Sequence, residues 1–173
     1  MKAFYSHARI ADNVFRERNG VDWEDLEPGM VFQHRPGRTV YQSENALHSL
    51  QTLNQVALHI DEAYAAKTEF RKPLIVTTLT FGILIAMTTK TFGRVCANLG
   101  MTDVNMLAPV FDGDTLYAET EVLSKRLSNS RPGNGLLTVK TTGRNQHGTA
   151  VCEFKRTLLL YLRGHDPYDA AQY

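Results

Sequence analysis

The sequence predicts an α+β domain in which an antiparallel sheet wraps one buried helix, and three observations carry this. Residues 78–87, Thr-Leu-Thr-Phe-Gly-Ile-Leu-Ile-Ala-Met, are apolar nearly all round, so a helix there has no face to offer water and must be covered. Over roughly the last seventy residues the apolar period falls from about 3.6 to 2: Leu116, Ala118, Thr120 and Val122 alternate with Tyr117, Glu119 and Glu121, and Leu137 and Val139 with Thr138 and Lys140. Nothing else in the 173 residues is apolar enough to cover the helix, so the sheet has to curl around it.

Taken in order, residues 1–22 mix charge and small polar groups without period and read as a mobile arm before a single domain over 23–163. Trp23 to Gly29 turns. Residues 30–34 and 39–41 read as extended segments around a Pro36-Gly37 turn. Ser43 is placed as an N-cap with Glu44 in the first turn, and Ala46, Leu47, Leu50 and Leu53 give that helix its apolar face. A second short helix is expected over 61–67, capped by Asp61 and favoured by its alanines.

The central helix is expected to run from about 78 through Phe92, Val95 and Cys96 to Leu99, with Gly100 as its stop. Gly82 inside it costs about 1 kcal/mol relative to Ala, which implies a second backbone passing close by. Strands then fill 103–163, with Gln146-His147-Gly148-Thr149 as a tight turn and Cys152, Phe154, Leu158 and Leu160 on one face. The tail, 164–173, is expected to fray.

Composition narrows the function. Nineteen Lys and Arg against eighteen Asp and Glu give a net charge of +1, without the basic excess that nucleic acid demands, so no nucleic-acid partner is expected. Cys96 and Cys152 lack any disulfide or zinc spacing, which fits a reducing cytoplasm and no metal. Residues 79–87 fall short of the ~20 needed to span a bilayer, and the N-terminus has no signal-type apolar run, so no membrane is expected either.

Two stretches carry a resemblance. The run Leu58-His59-Ile60-Asp61-Glu62-Ala63-Tyr64-Ala65-Ala66-Lys67, continued by Thr68-Glu69-Phe70-Arg71-Lys72-Pro73-Leu74-Ile75-Val76, and the phrase Pro109-Val110-Phe111-Asp112-Gly113-Asp114-Thr115-Leu116 together resemble the MaoC-like hot-dog enoyl-CoA hydratases, or hydratase 2, over roughly 23–163. The resemblance implies a hot-dog fold, a sheet around a long central helix, and an overhanging segment that bears the catalytic groups.

In that family the catalytic phrase is similar to D-x-N-P-x-H. Here the six residues are Asn54-Gln55-Val56-Ala57-Leu58-His59: His59 matches the histidine, and Asn54 stands where the aspartate should be. An amide accepts hydrogen bonds but takes no proton at useful pH, so Asn54 can orient water while His59 carries the proton. Asp61 reads as an N-cap and also as an alternative base, and Asp61 and Glu62 are the fallback positions for the missing acid. The resemblance to a subgroup acting on mesaconyl- and itaconyl-CoA makes an Asn-bearing enzyme workable.

Hydration of an enoyl thioester builds charge on the thioester oxygen, which needs donors aimed at it. The family uses a glycine N–H in a P-x-V-H-G-like phrase, and Pro73-Leu74-Ile75-Val76-Thr77 puts Thr77 at that glycine. Its amide can still donate, or Thr77 can cap the helix. Coenzyme A phosphates want cations at a groove mouth, and Arg71, Lys72 and Arg131 are chosen ahead of Lys125 and Arg126.

The resulting expectation is a hydratase/dehydratase of a short, branched or dicarboxylic enoyl-CoA. It needs no cofactor beyond the coenzyme A of its substrate and works as a homodimer or higher homo-oligomer. A hot-dog acyl-CoA thioesterase and a catalytically silent acyl-CoA-binding subunit are the rivals, and fold alone does not choose among them.

Overall fold

The computed structural model describes residues 6–171 and 173. Five strands form one antiparallel sheet: β3 (Val31–Thr39), β4 (Val95–Met106), β5 (Thr115–Leu127), β6 (Asn134–Arg144) and β7 (Ala150–Tyr161), in the order β3-β5-β6-β7-β4. The helix α4 (Thr77–Met87) lies against its inner face. The short helices α1 (Gln42–Gln51), α2 (Ala57–Ile60) and α3 (Glu62–Ala65) overhang the start of α4. This is the wrapped arrangement that the alternation of β5 to β7 predicts, and Leu116, Thr120, Val122, Leu137 and Val139 are all fully buried.

Two apolar clusters fill the sheet's concavity. Leu84 and Ile83 of α4 pack with Val40, Leu116, Val151 and Phe154; Trp23, Leu26 and Phe92 pack with Val122, Leu137, Leu158 and Leu160 at the other end. The close backbone approach expected at Gly82 occurs elsewhere. Among the described residues a Cβ on Gly82 would meet nothing within 4 Å, whereas a Cβ on Gly143 of β6 would lie 2.4 Å from Leu84. The glycine that lets helix and sheet meet is in the sheet.

Three further expectations are corrected. The central helix ends at Met87 rather than Leu99, because the Thr88 and Thr89 hydroxyls each bond back to a carbonyl of the last turn, Ile85 O and Ala86 O, at 2.7 Å. Residues 95–106 are then a strand paired along β7; Phe92, Val95, Cys96 and Leu99 happen to satisfy helical spacing as well. The Pro36-Gly37 turn is a register shift inside one strand, between His34 and Arg38. Helix α1 is capped at Tyr41, not Ser43, with Glu44 accepting from the Tyr41 N–H at 3.1 Å. Asp61 does cap α3, accepting from Tyr64 N at 2.9 Å.

Helix α4 is also not covered all round by its own chain: Gly82 and Ala86 are exposed. No helix among the described residues is long and apolar enough to cross a membrane.

The ends are built. β1 (His7–Ala11) and β2 (Val14–Glu17) pair as a hairpin. Asp22, 4% exposed, holds ion pairs with Arg18, Arg94 and Arg163 at 2.8, 3.1 and 3.0 Å. The tail, expected to fray, docks instead: Asp166 pairs with Arg94, and the Tyr168 hydroxyl, in α5 (Tyr168–Ala171), donates to Gly93 O.

Between the two clusters runs a buried polar seam. His34 hydrogen-bonds Thr120 and Thr91 at 2.9 and 3.1 Å, Thr120 bonds Thr141, and Arg156 donates to Thr88 at 2.8 Å. Burial, then the charges of Arg156 and Arg35, push the His34 pKa down to about 4. An unfolded histidine titrates near ~6.5, so between those values the unfolded chain takes a proton that the folded one refuses. The stability tied to a neutral His34 is therefore complete above about pH 6.5 and is lost as pH falls toward 4, by up to about 3 kcal/mol. Melting curves from pH 7 to 4.5 should show the midpoint falling, and His34→Gln should flatten that fall; an equally steep fall in the variant would assign it to other groups.

Candidate active site

The overhang exists to hold one imidazole. Leu74 forms a lone bridge with Phe111, and its N–H donates to Leu58 O at 3.2 Å, which ties the chain before α4 to α2. His59, the third residue of α2, turns its Nδ1 to donate to Leu74 O at 2.9 Å. A carbonyl can only accept, so the neutral ring carries its proton on Nδ1 and keeps the Nε2 lone pair for other work. Gln42 Nε2 and Asn45 Nδ2 both bond the His59 carbonyl, at 2.8 and 3.0 Å.

His59 lines a cleft of about 290 Å3 with Phe70, Leu74, Thr77, Thr80, Met106, Pro109 and Val110. Thr77 is the first residue of α4, where N–H groups lie outside the helical ladder, and its N–H has no partner among the described residues. The start of an 11-residue helix adds partial positive charge there. The cleft thus combines an imidazole with a free lone pair and an unspent helix N–H, between apolar walls, the types of group able to carry a proton and to donate to negative charge.

Of the residues chosen from sequence, His59 and Thr77 meet in this cleft. Asn54 is not in its lining; its Oδ1 accepts from Val56 N at 3.0 Å ahead of α2. Arg71 and Lys72 sit in the exposed turn between the lining residues Phe70 and Leu74, with the Lys72 ammonium 4.2 Å over the Phe111 ring. Arg131 lies in the β5–β6 turn, 3.9 Å from Cys96. Cys96 starts β4 while Met106, at its other end, lines the cleft, so within one chain a strand's length separates Arg131 from His59. Lys125 is engaged with Glu27 at 2.8 Å.

Three groups escaped the sequence reading. Thr80 lines the cleft, is wholly buried and has no partner for its hydroxyl among the described residues; a threonine inside an apolar helix gives no pattern signal. Asn45 is fully buried as well. His48 borders a larger groove, about 750 Å3, along the open face of α4, but its Nε2 is engaged with Thr78 Oγ1 at 2.9 Å.

Residues 24–145 match the model of the MaoC-like domain. The chain is 30% identical to the mesaconyl-CoA hydratase of Cereibacter sphaeroides over 145 residues, 83% of this chain but 42% of that protein. A solved Mycobacterium tuberculosis protein described as having a double hot-dog fold superposes with a TM-score of 0.78 at 30% identity, over 84% of this chain and 45% of that one. A MaoC-domain dehydratase structure from Chloroflexus aurantiacus, named only as a candidate dehydratase, gives a TM-score of 0.79 at 26% identity, over 83% and 41%. The chain thus spans less than half the length of these relatives.

Proposed function

We propose, since the chain belongs to the MaoC-like domain family and its cleft joins a basic imidazole to a free helix N–H, that it adds water reversibly to the double bond of a short enoyl-CoA. The observation that carries this is the His59–Leu74 bond, which fixes the tautomer and leaves Nε2 basic. In the hydration direction Nε2 takes a proton from water as the oxygen bonds to the β-carbon. The electrons pass to the thioester oxygen, which faces the Thr77 N–H, and the imidazolium returns a proton to the α-carbon. No cofactor enters this scheme beyond the coenzyme A of the substrate.

The relative's name supports a branched dicarboxylic acyl group such as mesaconyl. The water is assigned in this reading to Asn54, through its Nδ2, while the Thr80 hydroxyl lies buried. Arg71 and Lys72, exposed between the lining residues Phe70 and Leu74, are the cations this reading assigns to the coenzyme A phosphates.

The assembly proposed is a homodimer through β4, working in the cytoplasm. That strand has an open edge and exposes Leu99, Met101, Val104 and Met106, a surface that invites strand pairing. Antiparallel pairing about a two-fold axis sets the Cys96 end of one copy against the Met106 end of the other, which would carry Arg131 of the second copy toward the cleft. Relatives of about twice this length support a second hot-dog unit beside the first.

Incubation with a panel of enoyl-CoAs, following the conjugated enoyl absorbance and free thiol separately, tests the reaction. Loss of absorbance without thiol release is expected for mesaconyl-type substrates. Thiol release would make it a thioesterase, and silence across the panel would leave an acyl-CoA-binding subunit.

A further inference from the structure

Helix α1 is inside out. Its leucines, which the sequence sets on the buried face, are exposed: Leu47 at 55% and Leu50 at 74%. The residues turned inward are Asn45, with no exposure at all, and Ser49 one turn on. Burying an amide costs several kcal/mol unless its atoms are bonded, and Asn45 is bonded on both sides. Its two Nδ2 hydrogens are shared among Leu74 O at 2.9 Å, His59 O at 3.0 Å and Gln42 Oε1 at 3.1 Å, and its Oδ1 accepts from Val76 N at 2.8 Å.

Those partners belong to the two halves of the cleft. Leu74 O is the same oxygen that receives His59 Nδ1, so the amide that fixes this oxygen also fixes the plane of the imidazole. Val76 is the N-cap of α4. Its N–H is held by Asn45 and its carbonyl by the N–H groups of Leu79 and Thr80, so the peptide that carries the Thr77 N–H is held from both ends.

We infer that Asn45 is the positioning residue of the site, a single buried amide that locks the proton carrier and the thioester-oxygen donor into one mutual register. This rests on the hydratase reading for its catalytic meaning, while its geometric content stands without it. Asn45 does not line the cleft and acts only through His59 and the Val76–Thr77 peptide. A donor is needed toward Leu74 and His59 and an acceptor toward Val76, and an amide of this length supplies both; an isosteric carboxylate keeps the acceptor but turns a negative oxygen on two carbonyls.

The test compares wild type with Asn45→Asp, reading steady-state rates on the enoyl-CoA that wild type hydrates best and the ring 15N spectrum of His59. A misplacement of about an ångström at a reacting group costs on the order of 10²-fold, so kcat should fall by about that much with KM changed less than about threefold. The His59 ring should pass from a single Nδ1–H tautomer to a mixture. Should Asn45→Asp not fold, Asn45→Ser, smaller and still able to donate and accept, carries the same two readings. A folded variant with an unchanged ring spectrum, and kcat reduced only in step with its folded fraction, would overturn the inference. If wild type hydrates no enoyl-CoA, the hydratase reading fails by itself, and the ring spectrum still decides whether Asn45 sets the imidazole.

Discussion

His59→Ala is expected to lower hydration turnover by 10²- to 10⁴-fold, the usual worth of a positioned acid–base group, while moving the melting midpoint little. The small effect on stability follows from the bonding around the ring. Its one anchoring bond is to Leu74 O, and that oxygen keeps the Asn45 Nδ2 when the ring is removed, so no buried acceptor is orphaned. The lost ring atoms border an open cleft rather than the packed clusters, so little cavity cost is added. A histidine retained for packing predicts the reverse, a lowered midpoint with turnover per folded molecule preserved. Parallel melting and rate measurements on one preparation separate the two, and preserved turnover would remove His59 from the chemistry.

What could be read from the sequence, and what could not, follows the range of the forces involved. Strands β5 to β7 were legible because each alternates over several residues, and Ala118, Thr120 and Leu137 face inward as the alternation requires. The end of α4 was not, because Phe92, Val95 and Leu99 satisfy both periods and the deciding bonds are two threonine hydroxyls on their own last turn. His59 and Thr77 were found through a phrase resemblance and then proved to share a cleft. Helix α1 was read backwards for a physical reason: pattern arguments assume that apolar faces go inward in the single chain. Here the hydrogen bonds of Asn45, with Ser49 beside it, set the inward face, and Leu47 and Leu50 are left exposed. An isolated asparagine in a helix carries no such signal until its partners outside the helix, fourteen to thirty-one residues away, are in place.

Thr77→Pro is expected to cost 10²- to 10³-fold in kcat, the loss typical of removing one donor to a developing oxyanion, in a protein that remains at least as stable. The substitution isolates the N–H. Position 77 opens α4, and the first helical position is where proline is best tolerated, since the N–H it lacks makes no helical bond and its fixed φ suits the helix. The preceding residue also permits it: Val76 sits at φ −62°, ψ 140°, the extended region that a residue before proline prefers. The Thr77 N–H has no partner among the described residues, so no protein bond is broken, and the ring reduces the entropy of the unfolded chain, worth roughly 0.4–1 kcal/mol. Thr77→Ala is the control, keeping the N–H and removing the hydroxyl, and its turnover should stay near wild type. If the hydroxyl only caps α4, Thr77→Ala should lower the midpoint and Thr77→Pro should keep its turnover, and the donor for the thioester oxygen would have to be sought at Thr78, whose N–H also lies outside the ladder. If the N–H faces the oxygen, the alanine variant hydrates, the proline variant stays folded and nearly silent, and the loss falls on kcat more than on KM because the bond strengthens only as charge moves onto that oxygen.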